Sequence, residues 1–169
     1  MKFLSFVRNV VRFGALALAL AAPLIAQRTV TMSVAGNELT AAGSATVVLS
    51  GLGVENALGF TVTFDPTVLR YDSVANGADV AGATVHVNAS QSGGGRLGLA
   101  IALPSGSAFA PGDRALVVLH FTVLAAARTS TTLGFADTPI TREVSDSQAQ
   151  VLPATYSGTT VSAGPATRN

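Results

Sequence analysis

This sequence predicts an all-β fold, a single β-sandwich or jelly roll of about nine strands, and three observations carry the prediction. Val, Thr, Ala, Gly and Ser dominate the chain, while Glu, Lys and Gln, the usual residues of exposed helix faces, are nearly absent. Apolar and polar residues alternate in short runs, the period of a half-buried strand. Turn residues punctuate these runs at short intervals, and neither a helical period nor a fixed-length repeat intervenes.

The first 26 residues are set apart from the fold. Lys2, Arg8 and Arg12 precede a short apolar run from Phe13 to Ala22, Pro23 breaks it, and Ala26 offers a small residue before Gln27. That is the pattern of a secretory signal peptide, and the run is too short for a membrane span. The expected organisation is therefore a signal peptide over 1–26, one domain over 27–163 and a short C-terminal tail over 164–169. The expected location is secreted or periplasmic, with no membrane attachment after cleavage.

Within the domain, Thr29 to Ala35 alternates and ends at Gly36-Asn37, and Ala45 to Ser50 runs into the glycines at 51 and 53. Ala57 to Phe64 is the clearest strand: Leu58, Phe60, Val62 and Phe64 share one face, and Gly59, Thr61 and Thr63 the other. Asp65-Pro66 stops it, because proline lacks a backbone donor and fixes φ. Leu69 to Val74 follows, then Thr84 to Ser90, with Thr84, His86, Asn88 and Ser90 opposite Val85, Val87 and Ala89. The glycines after Ser92 make a hairpin tip leading into Arg96 to Leu103. Arg114 to Ala125, apolar on both faces, is the most buried candidate. Thr131 to Ala136, Ile140 to Val144 and Pro153 to Val161 complete the set, with room for one helical turn between Arg142 and Gln150.

Charge and composition exclude several functions. Cleavage of the leader would turn the net charge from +1 to −2 and remove the chain's one lysine; the remaining arginines, Arg28, Arg70, Arg96, Arg114, Arg128, Arg142 and Arg168, are scattered. Nucleic-acid binding needs clustered cations to neutralise phosphates, so no nucleic-acid partner is expected. With no cysteine, disulfides, thiolate metal sites and cysteine catalysis are excluded.

The stretch Gly59 to Val74, GFTVTFDPTVLRYDSV, resembles the core motif of cohesin domains: a glycine and aromatic, an alternating strand, Asp-Pro, then Val-Leu. The opening strands through Val34 and Ala45 to Ser50, the block Gly112 to Ala125 (GDRALVVLHFTVLA) and the closing stretch Asp146 to Val161 are similar to the family's other strands, in the same order. The resemblance implies a nine-stranded jelly roll and a non-enzymatic module that binds a calcium-loaded dockerin across one sheet face. It also implies a neighbouring alternative, a carbohydrate-binding or adhesion module of the same fold, with polysaccharide as the partner. Cohesins usually recur in long scaffolding chains, whereas this chain carries one such module. It contains no dockerin-type calcium loop, since Asp146-Ser147-Gln148-Ala149 lacks the alternating acidic ligands and the turn glycine.

No catalytic, cofactor or metal site is expected. Neither His86 nor His120 has further ligands at a recognisable spacing. Asp65, Asp72 and Asp79 recur at seven-residue intervals but read as turn and loop residues and not as a glycosidase pair. Gly93, Gly95 and Gly98 satisfy GxGxxG formally, yet a strand follows them where a dinucleotide site needs a helix. The candidate partner-binding residues are the polar stripe Thr84, His86, Asn88 and Ser90, with Phe109 as the aromatic expected on an exposed loop; the loops around Phe109 and Asp137-Thr138-Pro139 are further candidates behind the stripe. A flat exposed patch uniting Tyr71, Tyr156 and Phe109 would favour the carbohydrate alternative.

Overall fold

The computed structural model describes residues 27–165; the signal peptide expected over 1–26 and the last four residues lie outside the described residues. It is a two-layer β-sandwich of twelve strands rather than about nine: β1 (Arg28–Ser33), β2 (Glu38–Thr40), β3 (Ala42–Gly51), β4 (Glu55–Thr63), β5 (Leu69–Asn76), β6 (Thr84–Asn88), β7 (Arg96–Ala102), β8 (Gly112–Val123), β9 (Thr129–Ala136), β10 (Glu143–Asp146), β11 (Ala154–Ser157) and β12 (Thr159–Gly164). The five-stranded sheet has the order β11-β1-β3-β8-β5. The seven-stranded sheet runs β2-β12-β9-β4-β7-β6, and β10 pairs with β4.

One of the excess strands has a local cause. The closing stretch splits at Gly158: β11 joins β1 in one sheet, and β12 joins β9 and β2 in the other. A side chain at Gly158 would lie 2.4 Å from the Leu133 carbonyl oxygen, so glycine is needed where the chain changes sheets. The stretch expected to hold one helical turn is instead β10 followed by a turn, closed by Asp146, whose carboxylate accepts from the Gln148 and Gln150 N–H groups at 2.9 Å.

The inner faces follow the sequence alternation. Val47 and Leu49 of β3, Leu58, Phe60 and Val62 of β4, Leu97, Leu99 and Ile101 of β7, and Leu119 and Phe121 of β8 are all buried. Phe64 meets Phe121 edge-on across the sheets at 5.2 Å, and Phe60, Phe135 and Tyr156 form a second aromatic cluster. β8 is not buried on both faces as expected. The pairing jumps from Val47–Val117 to Val48–Ala115, leaving Leu116 as the extra residue of a bulge, so Leu116 and Val117 are both buried in succession. Beyond the bulge the alternation resumes, and His120 lies exposed on the outer face.

Phe109, expected on an exposed loop, is 2% exposed. Its N–H donates to the Glu55 carbonyl at 2.7 Å, and the Asn56 amide donates to the carbonyls of Leu103, Pro104 and Ser107. These bonds fold the 103–111 loop inward and carry the ring into the core.

Glu55 closes the same end of the sandwich. Its buried carboxylate accepts from the Leu52, Gly53 and Val54 N–H groups at 2.9 to 3.2 Å and from Arg28 Nε. Burial pushes its pKa up, but the backbone donors and Arg28 outweigh burial and hold it below the usual carboxylate value. One side chain thus ties the first strand to the β3–β4 turn.

The loop between β9 and β10 crosses the outside of the seven-stranded sheet as a strap. Thr61, buried on the outer face of β4, donates from its hydroxyl to the Ile140 carbonyl at 2.7 Å and accepts from the Ile140 N–H at 2.9 Å. At the strap's ends, Asp137 accepts from Arg142 Nε at 2.9 Å, Nη2 at 2.8 Å and the backbone N–H at 3.0 Å. Those bonds hold the Asp137 carboxyl well below its usual pKa.

Two outcomes follow from these tethers. Glu55→Gln should lose about 3 kcal/mol of stability at neutral pH, the scale of breaking a buried ion pair, in urea titrations monitored by circular dichroism. Because the folded-state pKa is depressed, this stabilisation is present above the unfolded value and is lost as pH falls through the folded one, so the gap between wild type and variant should narrow in acid. Thr61→Val, which leaves the Ile140 N–H and carbonyl unpaired, should cost about 2 kcal/mol and speed hydrogen exchange at the Ile140 amide; unchanged exchange there would show that the strap does not depend on this hydroxyl.

Candidate functional site

The outer face of the seven-stranded sheet is built from the residues that alternate with the core. On β4 these are Ala57, Gly59, Thr61 and Thr63; on β7 they are Arg96, whose guanidinium donates to the Thr138 carbonyl at 3.1 Å, then Gly98, Ala100 and Ala102. Apart from Arg96 at the start of β7, none is larger than threonine, so the strap can lie directly on the sheet. A side chain at Gly98 would sit 2.9 Å from Ile140 and 3.0 Å from Pro139, and one at Gly59 would sit 3.0 Å from the Thr141 carbonyl oxygen. The strap covers one half of the face and leaves the other half as an open groove of about 330 Å³. Ala57, Gly59, Ala100 and Ala102 form its floor, Ile140, Thr141, Glu143 and Ser145 one wall, and His86 the other.

The polar stripe is exposed along its whole length: Thr84, His86 and Asn88 project from β6, and Ser90 follows in the turn. Ser90 bonds the Asn88 carboxamide oxygen through its N–H and its hydroxyl, so these two cap the hairpin rather than point into the groove. His86 is the stripe residue that lines it. The alternating positions opposite were expected to face inward, but β6 ends its sheet, and Val87 is 41% exposed. Phe109, buried at the Glu55 end, takes no part.

The small-residue floor was in view in the sequence as the polar side of the Ala57 to Phe64 alternation, but nothing there marked it as a surface. Of the strap, the Asp137-Thr138-Pro139 loop was in view as a candidate, but nothing local placed Ile140 and Thr141 beside the floor. The strap wall exists because Thr61 and Ile140, far apart in the chain, meet.

The three aromatics of the carbohydrate alternative do not converge. Tyr71 lies on β5 and Tyr156 on β11, at opposite edges of the five-stranded sheet, and Phe109 is in the core. Burial raises the Tyr156 pKa to about 12, its hydroxyl bonds the Gly59 carbonyl at 3.3 Å, and the Arg142 guanidinium sits 5.8 Å from its ring centre. Asp65 is a turn residue, accepting from the Thr67 N–H at 2.8 Å and hydroxyl at 2.6 Å. Asp72 is held by Thr122 and Arg70 on the opposite sheet, and Asp79 receives the Ala115 N–H. The three carboxylates thus serve separate local networks. Among the described residues no group of three or more His, Asp or Glu is placed to hold a metal ion, and no helix is long and apolar enough to cross a membrane.

The cohesin domain family model matches residues 30–161. The sandwich is similar to a non-cellulosomal cohesin from the hyperthermophilic archaeon Archaeoglobus fulgidus, at 16% identity and TM-score 0.65 over 81% of this chain and 91% of that one. It is also similar to the sixth cohesin of Acetivibrio cellulolyticus scaffoldin B, solved with a mutant Cel5 dockerin, at 19% identity and TM-score 0.64 over 83% and 100% of the two chains. A cohesin module from a Clostridium perfringens family 33 glycoside hydrolase gives 13% identity and TM-score 0.64 over 82% and 96%. No curated protein sequence matches the chain. The family match begins on β1 and ends on β12, so it takes in both sheets, the groove and the strap: the chain belongs to the cohesin domain family.

Proposed function

We propose that the chain is a non-catalytic assembly module that docks a calcium-loaded dockerin on the outer face of its seven-stranded sheet. The family match over residues 30–161 carries this reading, and the groove supplies a surface suited to it. Its floor of alanine and glycine loses little hydration when covered, and its close approach admits the side of a helix. His86 and Thr84 on one rim, with Thr141, Glu143 and Ser145 on the other, provide the polar surround that sets specificity in protein interfaces. The cohesin structures solved with dockerins, including those from Acetivibrio cellulolyticus and Clostridium thermocellum, support the choice of partner class.

The leader, with its cationic start and short apolar run, favours export, and the module would then work outside the cytoplasmic membrane. There it would join a dockerin-bearing protein to others, as part of an extracellular polysaccharide-degrading assembly.

The test is titration calorimetry of residues 27–169, which contain both sheets and the whole core, against dockerin modules of the same organism, with calcium and then with EDTA. Binding that calcium supports and EDTA abolishes is expected. Ala102→Arg, at an exposed floor position, should weaken it at least about tenfold while leaving the melting temperature within a few degrees, because it fills the groove without entering the core. Absence of calcium-dependent binding to every dockerin tested would overturn the reading.

A further inference from the structure

β6 ends the seven-stranded sheet, and the hydrogen-bond register shows which of its backbone groups point outward. The Leu103 N–H bonds the Asn56 carbonyl, and the Phe64 N–H bonds the Gly95 carbonyl, so the odd-numbered residues of β7 and its flanks face β4. The even-numbered ones face β6. Thr84, His86 and Asn88, opposite Ala102, Ala100 and Gly98, therefore exchange bonds with β7. Val85 and Val87 direct their N–H and carbonyl groups off the edge.

Among the described residues, every other terminal strand carries a device that discourages pairing with a further strand. β5 has a bulge between Tyr71 and Ser73 and bears the Arg70–Asp72 ion pair. β2 is three residues long and carries Glu38, paired with Arg128. β10 is bulged at Ser145–Asp146 and holds two carboxylates. β11 is four residues long, follows Pro153, and has the Arg142 guanidinium over Tyr156. β6, with the sequence TVHVN, has no Asp, Glu, Lys or Arg, no proline and no bulge.

We propose that β6 pairs with β6 of a second copy of this chain, antiparallel and two-fold symmetric about His86. The strand is complementary to itself in that register. Val85 of one copy faces Val87 of the other in two hydrogen-bonded pairs, which satisfies every outward backbone group of both strands. The two valine pairs cover the exposed Val87 side chain, and β-branched cross-strand pairs are favourable. His86 then faces His86 of the second copy, and Thr84 faces Asn88. Cross-strand partners share a face, so the two grooves lie side by side on one continuous sheet. On the dockerin reading above, the pair would present two docking sites in the same direction and gain avidity for a partner with two modules.

The cysteine-free sequence makes the register directly testable. In residues 27–169, His86→Cys places one thiol on the two-fold axis, where non-hydrogen-bonded partners have Cα atoms about 4.5 Å apart, within disulfide reach. Thr84→Cys and Asn88→Cys each put the two thiols four residues out of register, roughly 14 Å apart. Under mild oxidation His86→Cys should form the covalent dimer at least about tenfold faster than either control. Equal rates at the three positions would overturn the proposal, since chance collision does not distinguish them. Wild type should show concentration-dependent dimerisation by sedimentation velocity, and Val87→Pro should stay monomeric with an unchanged far-ultraviolet spectrum, because the lost N–H bonds nothing among the described residues. A wild-type protein that stays monomeric to millimolar concentration would overturn it as well. Neither readout involves a dockerin, so the result stands apart from the proposed docking activity.

Discussion

The smallness of the side chains outside β4 and β7 is the constraint on which the candidate surface depends. A sandwich needs large apolar residues on its inner faces, and Leu58, Phe60, Val62, Leu97, Leu99 and Ile101 supply them. The positions between them are free to be anything the solvent tolerates, yet they are Gly59, Thr61, Gly98 and Ala100. Only at such positions does a third layer come close enough to touch the sheet backbone, and the 137–142 strap does so over Gly59 and Gly98. A valine at either glycine would lift the strap, and Thr61 would then lose both bonds to Ile140. The groove is the part of this thin face that the strap leaves uncovered.

The β3–β4 turn, at the start of β4, solves a different problem. It presents three successive N–H groups with no strand partner, and buried donors without acceptors are costly. The Glu55 carboxylate takes all three and Arg28 besides, which balances its charge. The same residue's carbonyl holds the Phe109 loop. A polar residue at the start of a core strand thus organises the N-terminal strand, a turn and a loop together, while the outer face that begins two residues further along β4 is organised by the absence of bulk.

How much of this was legible in the sequence depends on whether the cause was local. The β4 alternation and the Asp65-Pro66 turn were readable because their physics is contained in a few consecutive residues, and the turn forms through the Asp65–Thr67 bonds. The phase of β8 was not, because the Leu116 bulge makes its run look apolar on both faces and hides that His120 is exposed. The break at Gly158 was missed for a related reason: a glycine between two threonine-rich runs looks like a weak spot in one strand until the close approach of Leu133 is known. Phe109 shows the limit most clearly. An aromatic flanked by alanines in a proline-bounded loop has no periodicity to read, and its burial comes from a bond to Glu55 across the fold. Of the site, the His86 side was visible as a polar stripe, whereas the strap wall was not, since it depends on a tertiary contact.

The two outer faces also differ in what it costs to cover them. On the five-stranded sheet, Thr29, Thr31, Ser44, Thr46, His120 and Thr122 alternate with the core residues beside Val48 and Val118, and Thr122 is already bound to Asp72 and Arg70. A partner on that face must replace the water around each hydroxyl with a bond of matching geometry, or leave a polar group buried and unpaired. The groove on the seven-stranded sheet carries methyl groups and backbone at its floor, with its polar groups at the rim, where water remains available. Dehydrating the floor is favourable, and the rim can select among partners without being stripped. That asymmetry arises from one sequence property, which residues alternate with the core, and it makes the seven-stranded face the one on which a protein surface can settle at least cost.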